Sequence, residues 1–137
     1  MALSHLLDSS VLTRLRHAAV REMVEPAAER GELARAGISD LEIGYSARNA
    51  AEWDRLAEAL RAFELVETTA DHLQRARQVQ RMLATKHQRG RKVPDLLIAA
   101  AAESRGLTVL HYDADFDLIA SATGQSCEWV VPAGSVD

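Results

Sequence analysis

One stretch restricts the fold of this chain more than any other. It runs from Val93-Pro94-Asp95-Leu96 to Tyr112-Asp113-Ala114-Asp115-Phe116. Pro94 suits the first turn of a helix, where its missing N–H costs nothing. Asp95 then lies in that turn, beside the positive end of the helix dipole. An alanine-rich apolar run follows, Gly106 is a natural stop, and Leu107 to Leu110 reads as a buried strand. A helix from Asp95 to Arg105 covers about 16 Å. A strand from Leu107 to Tyr112 runs back about 20 Å. If the two pack antiparallel, Asp113 returns beside Asp95 at one end of a sheet. Taken alone, the stretch also fits a helix N-terminal acid plus a solvated loop acid.

The rest of the chain supplies the remaining layers. Leu3 to Leu7 reads as a first strand with Asp8 at its C-terminal end, and Ser9 or Ser10 can cap the helix that begins near Val11. A second helix is expected from about Arg21 to Glu32, with Pro26 liable to kink or split it. Leu33 to Ile38 is a short strand. Ser39 is a good N-cap with Glu42 at capping-box spacing, so Glu42 either reaches back to the Ser39 N–H or faces a ligand. A helical hairpin from about Asp40 to Ala62 follows, with Trp53, Leu56, Ala57 and Leu60 on one face. Phe63 to Val66 reads as a strand. Thr69 caps a long helix from about Ala70 to His87, with Leu73, Val79 and Leu83 among its apolar positions. A short helix (Leu118 to Ala122) and an edge strand (Glu128 to Val131) close the chain. Alternating strands and helices predict an α/β fold with a mostly parallel central sheet. The 137 residues suit a single domain, 1–137.

On such a sheet, ligands bind beyond the carboxyl ends of the strands. Asp8 and Asp113 lie on that edge, Asp95 returns to it, and Glu42 can lean over it. Crowded carboxylates repel and do not all ionise unless something compensates. A hard divalent cation with oxygen ligands, Mg²⁺ or Mn²⁺, is the usual answer. Zinc is disfavoured, because Cys127 is alone and the five histidines show no ligand spacing. Such a site serves phosphodiester hydrolysis.

Charge distribution agrees. The net charge is −4, yet no acid occurs from His72 to Pro94. That window holds Arg75, Arg77, Arg81, Lys86, Arg89, Arg91 and Lys92. It reads as a phosphate-binding patch, with a solvated helix face as the plainer alternative. The lone cysteine fits a reducing compartment. The longest apolar run, Leu96 to Ala102, is too short to span a bilayer, and Asp8 interrupts the N-terminal apolar run. A cytoplasmic protein without membrane contact is expected.

The order of these acids is similar to that of the PIN domain: Asp8-Ser9-Ser10 after a first strand, Glu42 after Ser39, Pro94-Asp95 opening an Ala-rich helix, and Asp113-Ala114-Asp115-Phe116 after a strand. Size and layout resemble the VapC toxins of type II toxin–antitoxin pairs. The resemblance implies a three-layer α/β/α sandwich and an Mg²⁺- or Mn²⁺-dependent endoribonuclease. It also implies a homodimer and a small VapB-like antitoxin. Carried over by residue, it implies a catalytic quartet of Asp8, Glu42, Asp95 and Asp113. Asp115 would be an accessory acid joining Asp8, Asp95 and Asp113 around the metal, with Asp117 peripheral. Ser9 or Ser10 would support the first aspartate on the substrate side, and Arg75, Arg77 and Arg81 would hold RNA. Many members carry a small hydroxyl residue two places before the fourth acid, where this chain has His111. That histidine is structural, a phosphate contact, or a group for proton transfer near neutral pH. Trp53 is either core or an anchor for the antitoxin. Two other readings compete: an inert PIN-fold module binding RNA or protein, and a receiver-type phosphotransfer domain. The second needs a lysine after the last strand, and none follows Val131.

Overall fold

The computed structural model describes residues 2–88 and 92–137, so Arg89 and Arg91 of the basic window lie outside the described residues. Its elements are β1 (His5–Leu7), α1 (Ser9–Leu12), α2 (Ala18–Glu29), β2 (Leu33–Ala36), α3 (Gly37–Gly44), α4 (Ala50–Leu60), β3 (Glu64–Val66), α5 (Ala70–Thr85), α6 (Val93–Ser104), β4 (Thr108–His111), α7 (Asp115–Thr123) and β5 (Cys127–Trp129). The strands form one sheet in the order β3-β2-β1-β4-β5, with every pair parallel. The chain steps outward from β1 to β2 and β3, then returns to the other side for β4 and β5. The reversal falls between β1 and β4, where open α/β sheets hold their ligands.

Alternation along the strands sorts the core into two layers. Leu6, Ala34 and Val109 face α5, α6 and α7, packing with Val79, Leu83, Ile98, Phe116 and Ile119. Leu7, Leu33 and Leu110 face the other way, with Val11, Val20, Val24, Leu60 and Phe63. Helices therefore cover both faces, and the architecture is an α/β/α sandwich. Residues Leu96 to Ala102 of α6 are all buried, as expected for a helix enclosed on every side. Its alanines let the sheet and α5 approach closely. The α5–α6 contact is tied by Arg75 on Glu103, at 2.7 and 3.2 Å, and by His72 Nε2 with Ser104 Oγ at 2.9 Å.

Several local expectations are corrected. Helix α2 begins at Ala18, ends at Glu29 and carries Pro26 inside it without splitting. Asp8 itself, rather than Ser9 or Ser10, caps α1. Helix α3 starts at Gly37 behind an extended Ala36, so Ser39 is not an N-cap and the Ser39–Glu42 capping box does not form. Ile38 packs against the core, and that anchoring overrides the local capping preference. Leu73 is half exposed, because the buried stripe of α5 is His72, Ala76, Val79 and Leu83. Among the described residues, no helix is long and apolar enough to cross a membrane.

Candidate functional site

Sheet register places the first acid. Leu7 pairs with Leu110, and the Asp8 N–H donates to the Leu110 carbonyl at 2.9 Å. Asp8 thus ends β1 alongside β4 and starts α1, where its Oδ2 accepts the Ser10 N–H at 3.0 Å. Ser10 Oγ in turn accepts the Tyr112 N–H at 2.8 Å, stitching the two strand ends together. The antiparallel return of β4 against α6 then brings Asp113 to Asp95. One carboxylate oxygen from each of Asp8, Asp95 and Asp113 lies within 4.8 Å of the others.

These groups are poorly solvated. Asp8 and Asp95 are only 2% and 3% exposed. Asp8 Oδ1, Asp95 Oδ2 and Glu42 Oε1 are buried without any hydrogen-bond partner. Unpaired buried acceptors are costly, and a carboxylate in that state more so. Burial, then the Asp8 and Asp113 charges, pushes the Asp95 carboxyl up to about 8. Burial, then Asp8, raises Glu42, with the Ser9 hydroxyl and Lys92 pulling the other way. Burial raises Asp8 despite the Ser10 contacts. Asp113 goes the other way. Burial opposes its ionisation, but the Asp115 N–H and the Lys92 ammonium outweigh it and hold its carboxyl below the ordinary range. Its Oδ1 accepts the Asp115 N–H at 2.9 Å and its Oδ2 accepts from Lys92 Nζ at 3.0 Å.

The donor set is all oxygen, anionic and convergent, with acceptor oxygens unfilled. That suits a hard divalent cation such as Mg²⁺ or Mn²⁺ and not a soft one. The acids open on a cleft of about 450 Å³, lined also by Ser9, Ser10, Thr13, Arg14, Lys92 and Tyr112. A larger groove of about 1010 Å³ runs along α5, lined by Leu73, Arg77 and Arg81 among others. It shares no residue with the acid cleft and has no acid in its wall. Chemistry therefore belongs to the smaller opening, where the buried carboxylates are.

The other expected site residues divide. Asp115 lies outside the group whose carboxylate oxygens come within 4.8 Å of one another, and its N–H orients Asp113. Asp117 is exposed and accepts from Trp129 Nε1, a peripheral role. Arg77 and Arg81 are exposed, as RNA contacts must be. Arg75 is engaged by Glu103 and Gln78 and braces α5 against α6. His111 does not reach the cleft wall. It is 0% exposed, stacked on Phe116 and packed against Trp129, and its Nδ1 accepts the Asp113 N–H at 3.2 Å. This geometry makes it a positioning residue for Asp113 in place of a phosphate contact. Trp53 is not core. It is 47% exposed and lies over Gly44, where an added Cβ would meet its Nε1 at 2.6 Å. Leu41 and Tyr45 are exposed on the same hairpin. Of the cleft cations among the described residues, Lys92 entered the sequence reading only as one charge of the basic window, and Arg14 did not enter it as a site residue.

Comparison with known proteins agrees with this geometry. The family model described as "PIN domain" matches residues 5–122. The chain is 64% identical over 137 residues to Ribonuclease VapC51 of Mycobacterium tuberculosis, covering 100% of both chains. Its fold is similar to that of DNA-bound VapBC from Salmonella typhimurium, with TM-score 0.76 and 20% identity over 94% of this chain and 99% of the other. It is also similar to VapBC-5 of Mycobacterium tuberculosis, a member of the VapBC family of toxin–antitoxin systems. There the TM-score is 0.64 and the identity 23%, over 93% of this chain and 98% of the other. With this family match, this identity and this constellation of acids, the chain belongs to the PIN-domain family, in its VapC branch.

Proposed function

We propose that this chain is the toxin of a type II toxin–antitoxin pair, acting in the cytoplasm as a single-domain, divalent-cation-dependent endoribonuclease. The observation that carries the reading is the convergence of Asp8, Asp95 and Asp113 around buried, unpartnered carboxyl oxygens. These three would hold the cation, Mg²⁺ or Mn²⁺. When bound, such an ion supplies positive charge to the scissile phosphate and lowers the pKa of nearby water. The chain's own groups do the rest. Glu42 leans over the same cleft, where burial and the Asp8 charge raise its carboxyl and so favour its taking up a proton. Asp113 stays ionised because Asp115 and Lys92 hold it so. Arg77 and Arg81 would hold flanking RNA phosphates. The exposed Leu41, Tyr45 and Trp53 support a partner surface on the α3–α4 hairpin, suited to a VapB-like antitoxin, and a homodimer is proposed on family likeness.

Purified chain incubated with structured RNAs should cleave them with Mg²⁺ or Mn²⁺ and stop in excess chelator. Asp8→Asn should be inert. Cleavage that survives the chelator or D8N refutes the site. A folded chain that takes up no divalent cation in calorimetry would instead favour an inert binding module.

A further inference from the structure

We infer that Arg14 binds an RNA phosphate at the mouth of the acid cleft, held in its working pose by Tyr112 and residues 136–137. The inference rests on the ribonuclease reading above. Among the described residues, two cations line the cleft, Arg14 and Lys92. Lys92 is already committed to Asp113 at 3.0 Å. No Asp or Glu side chain among the described residues pairs with Arg14. Its Nη1 donates to the Ser10 carbonyl at 2.9 Å and its Nε to the Asp137 main-chain oxygen at 2.7 Å. The Asp137 carboxylate is taken instead by Arg16 and His17. The Arg14 guanidinium lies 4.7 Å from the centre of the Tyr112 ring. Tyr112 is fixed in turn: its hydroxyl donates to the Val136 carbonyl at 2.6 Å and accepts the Val136 N–H at 3.2 Å.

A guanidinium stacked on one face and bonded along one edge keeps its other edge for an anion. Nη2 makes no hydrogen bond among the described residues. A planar fork matches a phosphate's non-bridging oxygens. The cleft otherwise presents acids that repel RNA, so a phosphate brought to them needs a fixed cation beside them. Preorganisation by the stack and the Asp137 contact lowers the entropy lost on binding.

The test is RNA affinity of the full chain by fluorescence anisotropy in chelator, using a single-stranded oligonucleotide across a salt series. Arg14→Gln keeps hydrogen-bonding capacity but loses the charge. It should weaken affinity about tenfold or more. It should also reduce the slope of log affinity against log salt by about 0.7, one phosphate contact on a single strand. Arg14→Lys should keep the slope and recover part of the affinity. An R14Q chain with wild-type affinity and slope overturns the inference, as does R14K matching R14Q in both. If R14Q fails to fold, the wild-type chain decides. RNA should protect Arg14, and not the remote exposed Arg48, from phenylglyoxal as read by mass spectrometry, and an unprotected Arg14 overturns the inference. A wild-type chain that binds no RNA defeats the ribonuclease reading as well. Binding with an indifferent R14Q defeats only the role of Arg14.

Discussion

Replacing Asp95 with asparagine should make the cation-free chain more stable, although it removes a buried residue of the site. Burial and the neighbouring Asp8 and Asp113 raise the Asp95 carboxyl from 3.8 to about 8. The unfolded chain ionises it above about pH 4. Between pH 4 and 8 the folded chain therefore binds the extra proton, and stability falls as pH rises through that window. At about 1.4 kcal/mol per pK unit, the full shift corresponds to ~6 kcal/mol. Water entering the open cleft screens part of it, leaving about 2–3 kcal/mol. The asparagine side chain keeps the shape and escapes the cost, and its amide can donate to a neighbouring carboxylate. At roughly 4 °C per kcal/mol for a chain of this size, D95N should melt about 10 °C above the parent at pH 8 in chelator. The gain should shrink toward zero near pH 4. Thermal melts of both chains from pH 4 to 8.5 measure the difference directly, since the other titrating groups are common to both. Mg²⁺ at pH 8 should raise the parent's Tm and leave that of D95N nearly unmoved. A variant no more stable than the parent at pH 8, or a difference that ignores pH, would refute the account of a strained, proton-stabilised carboxyl cluster.

Three further outcomes are expected. Arg75→Ala should cost about 0.5–1 kcal/mol in denaturant melts, through its half-exposed ion pair with Glu103, and leave the salt slope of RNA binding unchanged. Arg77→Gln with Arg81→Gln should weaken RNA binding and flatten that slope by about 1.4 if both touch phosphate. A slope that does not move assigns the α5 groove to another partner. Gly44→Ala should displace the Trp53 ring and cost on the order of 1 kcal/mol, visible as a changed tryptophan emission, whereas unchanged emission would place the ring elsewhere.

Helix and strand rises made the meeting of Asp95 and Asp113 one of two readings of that stretch, because both acids sit on consecutive elements. Asp8 needed the register of Leu7 on Leu110, a long-range pairing that no local pattern encodes. Its place was legible only from the alternation of strands and helices and the likeness to a known family. Ser39 misled because capping preference is local. Anchoring of Ile38 in the core starts α3 three residues earlier. Arg75 read as a phosphate ligand because its partner, Glu103, arrives from a different helix. Trp53 read as core because helical periodicity marks a face without saying what covers it. Arg14 gave no signal, since its contacts come from Tyr112 and the segment at 136–137. Arg75, Trp53 and Arg14 share one cause: their surroundings come from elements distant in sequence.

The central position of β1 has a temporal consequence. Its first partner, β2, leaves the ribosome soon after it. Its second, β4, follows only after α3, α4, β3, α5 and α6. Every nascent chain that stops short of β4 carries Asp8 without Asp113, and so lacks the three-carboxylate cluster. The cluster is thus completed in a single step, when the docking of β4 closes the gap beside β1.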